Sequence, residues 1–269
     1  VLRKDGTMTD DILGRILYNR YYVEGIIHEG GMSAGYRAVD VIDDIYVMIK
    51  VCRNSDIIGI AALKNEYRIL KGLNHKGLNH NGIPGVYGYM SEESGDSLIM
   101  EYIDGLTLEY LMSNGMLSLG EALTIIKSLC RILIYLHDHS PAVYHCDIKP
   151  SNIIVAGDGC VTLIDFGVSL YGGEKNSACF GTEGYAAPEQ FDASGNIDAR
   201  TDIYSMGILL KNMLRASADY DKDPQKLGNI IKRCTSRDMC CRYSDVSEIL
   251  TEMMYNTRED GTARLIYIS

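Results

Sequence analysis

No apolar run in this 269-residue chain approaches the ~18 residues that a membrane-spanning helix needs, so no span is expected. The charged opening VLRKDGTMTDD is not followed by the apolar stretch of a signal peptide. Positive charge is not in excess. The net charge is −10, which argues against nucleic acid or an anionic membrane as the main partner, because both require a basic face. A local basic pocket for phosphates remains compatible with that balance. Zinc-binding spacing is missing as well. The eight cysteines stand at 52, 130, 146, 160, 179, 234, 240 and 241; no two form C-x-x-C, and no His lies at finger distance. They are expected to be reduced, mostly buried thiols of a cytoplasmic protein. The first residue is Val rather than Met, as expected of a piece of a longer chain.

An apolar fraction of 46% with 23% charged residues is that of an ordinary globular chain, long enough for one large domain or two lobes. Residues 21–28, 34–41 and 44–52 are short, β-branched and aromatic, with turn residues between them, and read as strands. The next segment, 57–73, has its apolar residues at helical spacing, and two further strands are expected near 86–90 and 97–102. Ser118 and Glu121 form a capping box, and the apolar positions 122, 125, 126, 129, 132, 133 and 136 make one stripe on a helix over 118–139. Further helices are expected at 202–215 and 244–255. The fold class is therefore α+β with two lobes, β-rich in front and helical behind, joined near 102–105. A cleft between such lobes is a usual ligand site. A five-residue tandem duplication, GLNHK at 72–76 and GLNHN at 77–81, reads as a lengthened loop; a metal site on His75 and His80 is the remote alternative.

Several residues could carry chemistry. Lys50 ends the strand YVMIK, Glu66 follows sixteen residues later in a helix, Asp147 and Asn152 flank IKPS, and Asp165 lies in LIDFG. Taken one at a time, a strand-end Lys is a solvated edge and a DFG is a turn. In this order they match what phosphoryl transfer requires: a cation for phosphates, oxygen ligands for Mg2+, and a base for the acceptor hydroxyl.

From about Tyr21 to Tyr255 the chain resembles a protein kinase catalytic domain, of the bacterial eukaryotic-type Ser/Thr kind. The resemblance rests on VMIK at 47–50, HCDIKPSN at 145–152, DFG at 165–167, GTEGYAAPE at 181–189 and DIYSMG at 202–207, five motifs in order. It implies a bilobal kinase fold with residues 1–20 as an N-terminal extension, 21–102 as the N-lobe, 103–258 as the C-lobe and 259–269 as a C-terminal extension. It implies ATP and Mg2+ as cofactors and a protein bearing a Ser or Thr hydroxyl as partner. Lys50 would hold the α- and β-phosphates and pair with Glu66. Asp147 would be the catalytic base, Lys149 would steady the γ-phosphate, and Thr182 would bond to both. Asn152 and Asp165 would ligate Mg2+. Gly30, Gly31 and Ser33 would cover the phosphates, while Met48, Met100, Glu101, Ile103 and Ile154 would surround the adenine, with the backbone of 101–103 as hinge. Glu189 would pair with Arg242, and Asp202 would hold the catalytic loop.

Four departures accompany the match. The glycine loop reads HEGGMSAG at 28–35: His28 and Ser33 replace glycines, and Gly35 replaces the Val above the adenine. Met48 replaces the Ala that shares that roof, a volume-conserving exchange with Gly35. Cys146 replaces the Arg that grips an activation-segment phosphate, and Ala178 stands where that phosphate often sits, with Ser177 as an alternative site. Finally, only about twenty residues separate the helix at 202–215 from the arginine-bearing region, so the helix usually placed there is expected to be missing or very short. The reading is an ATP- and Mg2+-dependent Ser/Thr protein kinase that needs no activation-segment phosphorylation. The alternatives are a nucleotide-binding pseudokinase scaffold, favoured by the altered loop and Met48, and a small-molecule kinase of aminoglycoside-phosphotransferase type, disfavoured by GTEGYAAPE, Lys149 and Arg242.

Overall fold

The computed structural model describes residues 12–29, 33–53, 56–74, 80–92, 95–174, 181–192, 195–217 and 224–256. Six antiparallel strands open the chain: β1 (Ile16–Leu17), β2 (Tyr21–Glu29), β3 (Ser33–Asp40), β4 (Ile45–Arg53), β5 (Val86–Glu92) and β6 (Gly95–Glu101). Their order in the sheet is β1-β2-β3-β4-β6-β5. Alternation along β4 explains the two faces. Val47, Ile49 and Val51 pack with Val23, Tyr36, Ala38 and Ile99 on one side. Met48, Lys50 and Cys52 point to the other, where α1 (Ile57–Leu73) lies. Asp56 caps α1 by accepting the Gly59 N–H at 2.8 Å, and Leu63, Ile69, Leu70 and Leu73 form its buried stripe.

The sheet begins earlier than the sequence suggested. Within residues 12–20, expected as an extension, β1 pairs with β2, and Ile12, Leu13, Leu17 and Tyr18 pack on the sheet's apolar face. Tyr18 donates its hydroxyl proton to Ser97 Oγ at 2.7 Å. The strand is only two residues long, too short to give an alternating pattern. The duplication also begins inside an element. Gly72 and Leu73 finish α1, and Asn74 caps it, its amide donating to the Leu70 carbonyl at 2.7 Å. His80 of the second copy accepts the Gly82 N–H at 3.0 Å and lies against Tyr135. His75 falls outside the described residues, among which no group of three or more metal-ligating side chains occurs.

The second half is helical around short strands. β7 (Leu106–Thr107) leads into α2 (Leu108–Ser113), then α3 (Leu119–His137), β8 (Val143–Tyr144), β9 (Ile153–Val155), β10 (Val161–Leu163), β11 (Leu170–Tyr171), α4 (Ala199–Ala216), α5 (Pro224–Cys234) and α6 (Val246–Asn256). The Ser118–Glu121 capping box starts α3, whose stripe is fully buried. One apolar cluster runs from the lower face of the sheet through Phe166 to α3, α4 and α6. Among the described residues no helix is long and apolar enough to cross a membrane.

The segment after α4 corrects an expectation. It is not helix-free: α5 has 11 residues and rests on α4 and α6. Its buried residues Leu227, Ile230 and Cys234 are one and two turns apart, but polar neighbours dilute the pattern. Close approach depends on Gly207, where a Cβ would collide with Cys234.

Beneath this packing lies a buried ion pair. Arg242 donates to Glu189 at 2.7 and 2.9 Å, to the Arg200 carbonyl at 2.9 Å and to the Ser236 carbonyl at 2.8 Å. Thr201 donates to the same carboxylate at 3.0 Å. Removing one partner would strand the other without water. Glu189→Ala and Arg242→Ala are each expected to cost about 3–5 kcal/mol, measured by urea unfolding. A loss below 1 kcal/mol would show that the pair is not load-sharing.

Candidate active site

Glu66 sits on the apolar stripe of α1 and is 2% exposed. A carboxylate there needs a charged partner, and Lys50 of β4 supplies it: Nζ lies 2.7 Å from Glu66 Oε2 and 2.9 Å from Asp165 Oδ1. Burial works against charge on Lys50, but the two carboxylates outweigh it and hold the ammonium above its usual range. Asp165 is likewise disfavoured by burial, yet Lys50 holds it below the usual carboxylate range. The other oxygen of Glu66 accepts the Phe166 N–H at 3.2 Å, so one buried carboxylate ties α1 to both the strand and the DFG turn. Asp165 has a φ of 66°, a left-handed backbone that a non-glycine residue adopts only under constraint.

The loop at 144–152 is fixed from below. Asp202 of α4 is fully buried and accepts the N–H groups of His145 at 2.9 Å and Cys146 at 2.8 Å, with His137 Nε2 at 2.9 Å. Burial pushes its carboxyl up, but these partners overcome it and its pKa ends below the ordinary value. Cys146 also has a left-handed backbone, φ 65°. Its carbonyl accepts from the Gln190 side chain at 2.7 Å, and Gln190 accepts the Ala187 N–H at 2.8 Å. His145 donates from Nε2 to the Ile164 carbonyl at 3.1 Å, accepts the Asp147 N–H on Nδ1 at 3.3 Å, and meets Phe166 edge-on. The Cys146 thiol is buried, and burial together with nearby carboxylates raises its pKa well above the ordinary value. It is a neutral packing group, not a reactive thiolate.

Above this base Asp147, Lys149, Asn152 and Thr182 form one cluster. Lys149 Nζ lies 2.8 Å from Thr182 Oγ1 and 2.8 Å from Asp147 Oδ2. Thr182 donates to Asp147 Oδ1 at 2.7 Å, and Asn152 donates to Asp147 Oδ2 at 2.9 Å. A carboxylate has about four acceptor positions; three are occupied, which leaves one for a further donor.

Sequence reasoning overlooked a second set of ties, from α1 to the segment after the DFG turn. Asn65 donates to the carbonyls of Gly167 at 3.0 Å and Ser169 at 2.9 Å. Arg68 makes a two-pronged bond to Glu174, at 2.6 and 3.1 Å, and Glu174 accepts the Tyr171 N–H at 2.9 Å. The Arg68 guanidinium lies over the Tyr171 ring, and Gly72 leaves room for the Tyr171 hydroxyl. The available signal was that Asn65 and Arg68 flank Glu66 on the helix. Ser177, Ala178 and Cys179 lie outside the described residues, as do Gly30 and Gly31.

The other positions that the resemblance assigned to the nucleotide lie on the strands and the connection between the two halves. Ser33 opens β3 opposite Cys52. Met48 and Met100 are cross-strand partners on β4 and β6, and Met100 is buried. Glu101 is tied to Gly85 through both its backbone N–H (2.8 Å) and its side chain (2.9 Å). The chain leaves the sheet after Glu101, which places Ile103 in the connection between the halves. Ile154 lies on β9, opposite Thr107 and Thr162.

A family model described as protein kinase domain matches residues 21–260. The chain belongs to that family. A probable serine/threonine-protein kinase, PknB, of Lactococcus lactis is 30% identical, covering 95% of this kinase chain and 45% of its own. The serine/threonine-protein kinase PrkC of Bacillus subtilis is 28% identical, covering 88% and 40%. The serine/threonine-protein kinase PknL of Mycobacterium tuberculosis is 29% identical, covering 88% and 65%. The kinase domain thus spans less than half the length of the first two.

Asp202 gives the site a definite acid limit. Its carboxyl is stronger in the folded chain than when unfolded, so the unfolded state binds the extra proton as pH falls. The stabilisation is complete above the ordinary carboxylate pKa of about 4 and is lost as pH falls below it. Asp202→Asn is expected to cost about 2–4 kcal/mol at pH 7 and to flatten the loss of stability between about pH 5 and pH 3. Unfolding midpoints across that range check this; identical slopes in both proteins would refute it.

Proposed function

We propose that the chain is an ATP- and Mg2+-dependent Ser/Thr protein kinase domain, holding its working arrangement without a phosphate on the activation segment. The observation that carries this reading is the assembly of Lys50–Glu66–Asp165 and Asp147–Lys149–Thr182 around one cleft. No group that the chemistry needs is missing, which is why the pseudokinase reading is set aside.

The donors suit the cofactors. Lys50 spends two of its three N–H donors on Glu66 and Asp165 and keeps one for phosphate oxygens. Asp165 and the side-chain oxygen of Asn152 are hard donors of the kind Mg2+ takes, and two protein ligands suffice because that ion keeps waters and phosphate oxygens. When bound, Mg2+ would neutralise charge that develops during transfer. Asp147 receives the acceptor hydroxyl's proton at its remaining position. Lys149 lies beside that position and faces the transferred group. Thr182 keeps the two aligned.

Order without phosphate has specific support. Cys146 offers no guanidinium for a phosphate. The loop it belongs to is gripped by Asp202 on one side and Gln190 on the other, and Asn65 with Arg68–Glu174 fastens the segment to α1. ATP use and reduced thiols (all the described cysteines are free) suit a cytoplasmic site of action. The acceptor is a protein Ser or Thr hydroxyl.

Asp147→Asn and Asp165→Asn are each expected to lower phosphotransfer by ~10²-fold or more, and Asp147→Asn should leave ATP affinity nearly intact. Labelled-ATP transfer to generic protein acceptors measures the first, nucleotide titration the second. Unchanged rates in both variants would remove the kinase reading. Separately, phosphatase-treated protein should keep its rate within a factor of about two, since no ordering bond of about 1–3 kcal/mol is lost. Ser177→Ala should be mild and Cys146→Arg should bring no gain. Near-complete inactivation by phosphatase, with the fold intact by circular dichroism, would show that phosphorylation controls the enzyme after all.

A further inference from the structure

The roof of the cleft contains a side chain that the exchange between Gly35 and Met48 does not account for. Irregularities in the β2–β3 pairing bring His28 opposite Gly35, and Gly35 is in turn opposite Lys50 on β4. The three residues form one row across the sheet. Partners in a row share a face, so His28 stands on the face that carries Lys50, and Met48 lies two residues along the same strand.

The volume above Gly35 is already filled. A Cβ there would collide with Nδ1 of His28 and come 2.5 Å from Cε1 and 2.8 Å from the Met48 methyl. The imidazole therefore lies over the glycine with Met48 at its side. Adding the Val side chain at 35 would displace the ring before it displaced the thioether. Nδ1 and Cε1 cover Gly35, and Nε2, bonded to Cε1, is the ring's second nitrogen. The ring makes no hydrogen bond to another described residue. Burial and the charge of Lys50 both disfavour the imidazolium, against a weaker opposite pull from Asp165. A neutral ring has one donor and one acceptor nitrogen.

The ring therefore stands on the face that carries Lys50, which in the proposed function takes phosphates, with Met48, which roofs the base, beside it. We propose that His28 is a nucleotide-binding residue whose Nε2 edge donates to the α-phosphate, supplying from a side chain part of what a fuller glycine loop supplies from its backbone. The inference rests on the kinase reading and adds to it a contact that a glycine at position 28 could not make. It also turns the Met48–Gly35 exchange into a three-residue unit: Gly35 is small because an imidazole needs the space.

The test is direct binding, by displacement of a fluorescent ATP analogue in the presence of Mg2+. His28→Ala is expected to weaken ATP and ADP about ten- to a hundredfold, the worth of one hydrogen bond to a charged group, and to change adenosine affinity less than twofold. His28→Gln, whose amide nitrogen reaches the place of Nε2, should recover most of the loss. Gly35→Val should weaken ATP at least as much as His28→Ala, and adding His28→Ala to it should relieve crowding more than adding Met48→Ala does. Should Gly35→Val fail to fold, the His28 variants alone decide. ATP binding by the wild type with equal binding by His28→Ala would overturn this inference and leave the kinase reading standing. No nucleotide binding by the wild type would overturn the kinase reading itself.

Discussion

A fully buried carboxylate with a set of fixed donors holds this molecule's chemistry in place. Asp202 accepts two successive backbone N–H groups of the loop that carries Asp147, and His137 completes it. The loop turns through a left-handed residue at Cys146, a conformation worth about 1–3 kcal/mol of strain. Such a turn persists only if gripped from both sides. Asp202 takes the N–H of that residue, and Gln190 takes its carbonyl. Because α4 is itself fastened to the Glu189–Arg242 pair through Thr201 and the Arg200 carbonyl, the position of Asp147 is set by burial far from the cleft.

This grip bears on the cysteine. An Arg at 146 would answer to a phosphate some thirty residues on, coupling loop order to modification. A neutral thiol makes no such demand. In the proposed reading the fastening falls instead on α1. Glu66 takes the Phe166 N–H, Asn65 takes the carbonyls of Gly167 and Ser169, and Arg68 closes on Glu174. The last of these is largely solvent-exposed and weak by itself, but it shares a network with Tyr171 and Asn65. Placing three consecutive contacts on one helix makes its position and the segment's order the same variable.

Elements with a long period were legible in the sequence. The helix at 57–73 was bounded to the residue by apolar spacing that only Glu66 interrupts. The helix at 118–139 came from its capping box and a stripe of seven apolar positions. Short or diluted elements were not legible. β1 has two residues, and α5 hides Leu227, Ile230 and Cys234 among polar neighbours. In the site, the residues of the five motifs could be placed because their order along the chain matches a known set. Asn65, Gln190 and Glu174 could not, because each acts through backbone groups brought near only by folding. His28 was visible as a departure from glycine, but its place over Gly35 depends on register shifts in β2 that no periodicity announces.

The electrostatics of the cleft follow from the same economy of groups. Lys50 faces two carboxylates, one fully buried and one partly exposed to the cleft, with side-chain exposures of 2% and 41%. Only Asp165 can therefore change partners. Its left-handed backbone, φ 66°, sets where its carboxylate can point. Glu66, held by Phe166 and by α1 itself, cannot follow. The asymmetry separates the two carboxylates: burial binds Glu66 to Lys50, and exposure leaves Asp165 the freer of the two.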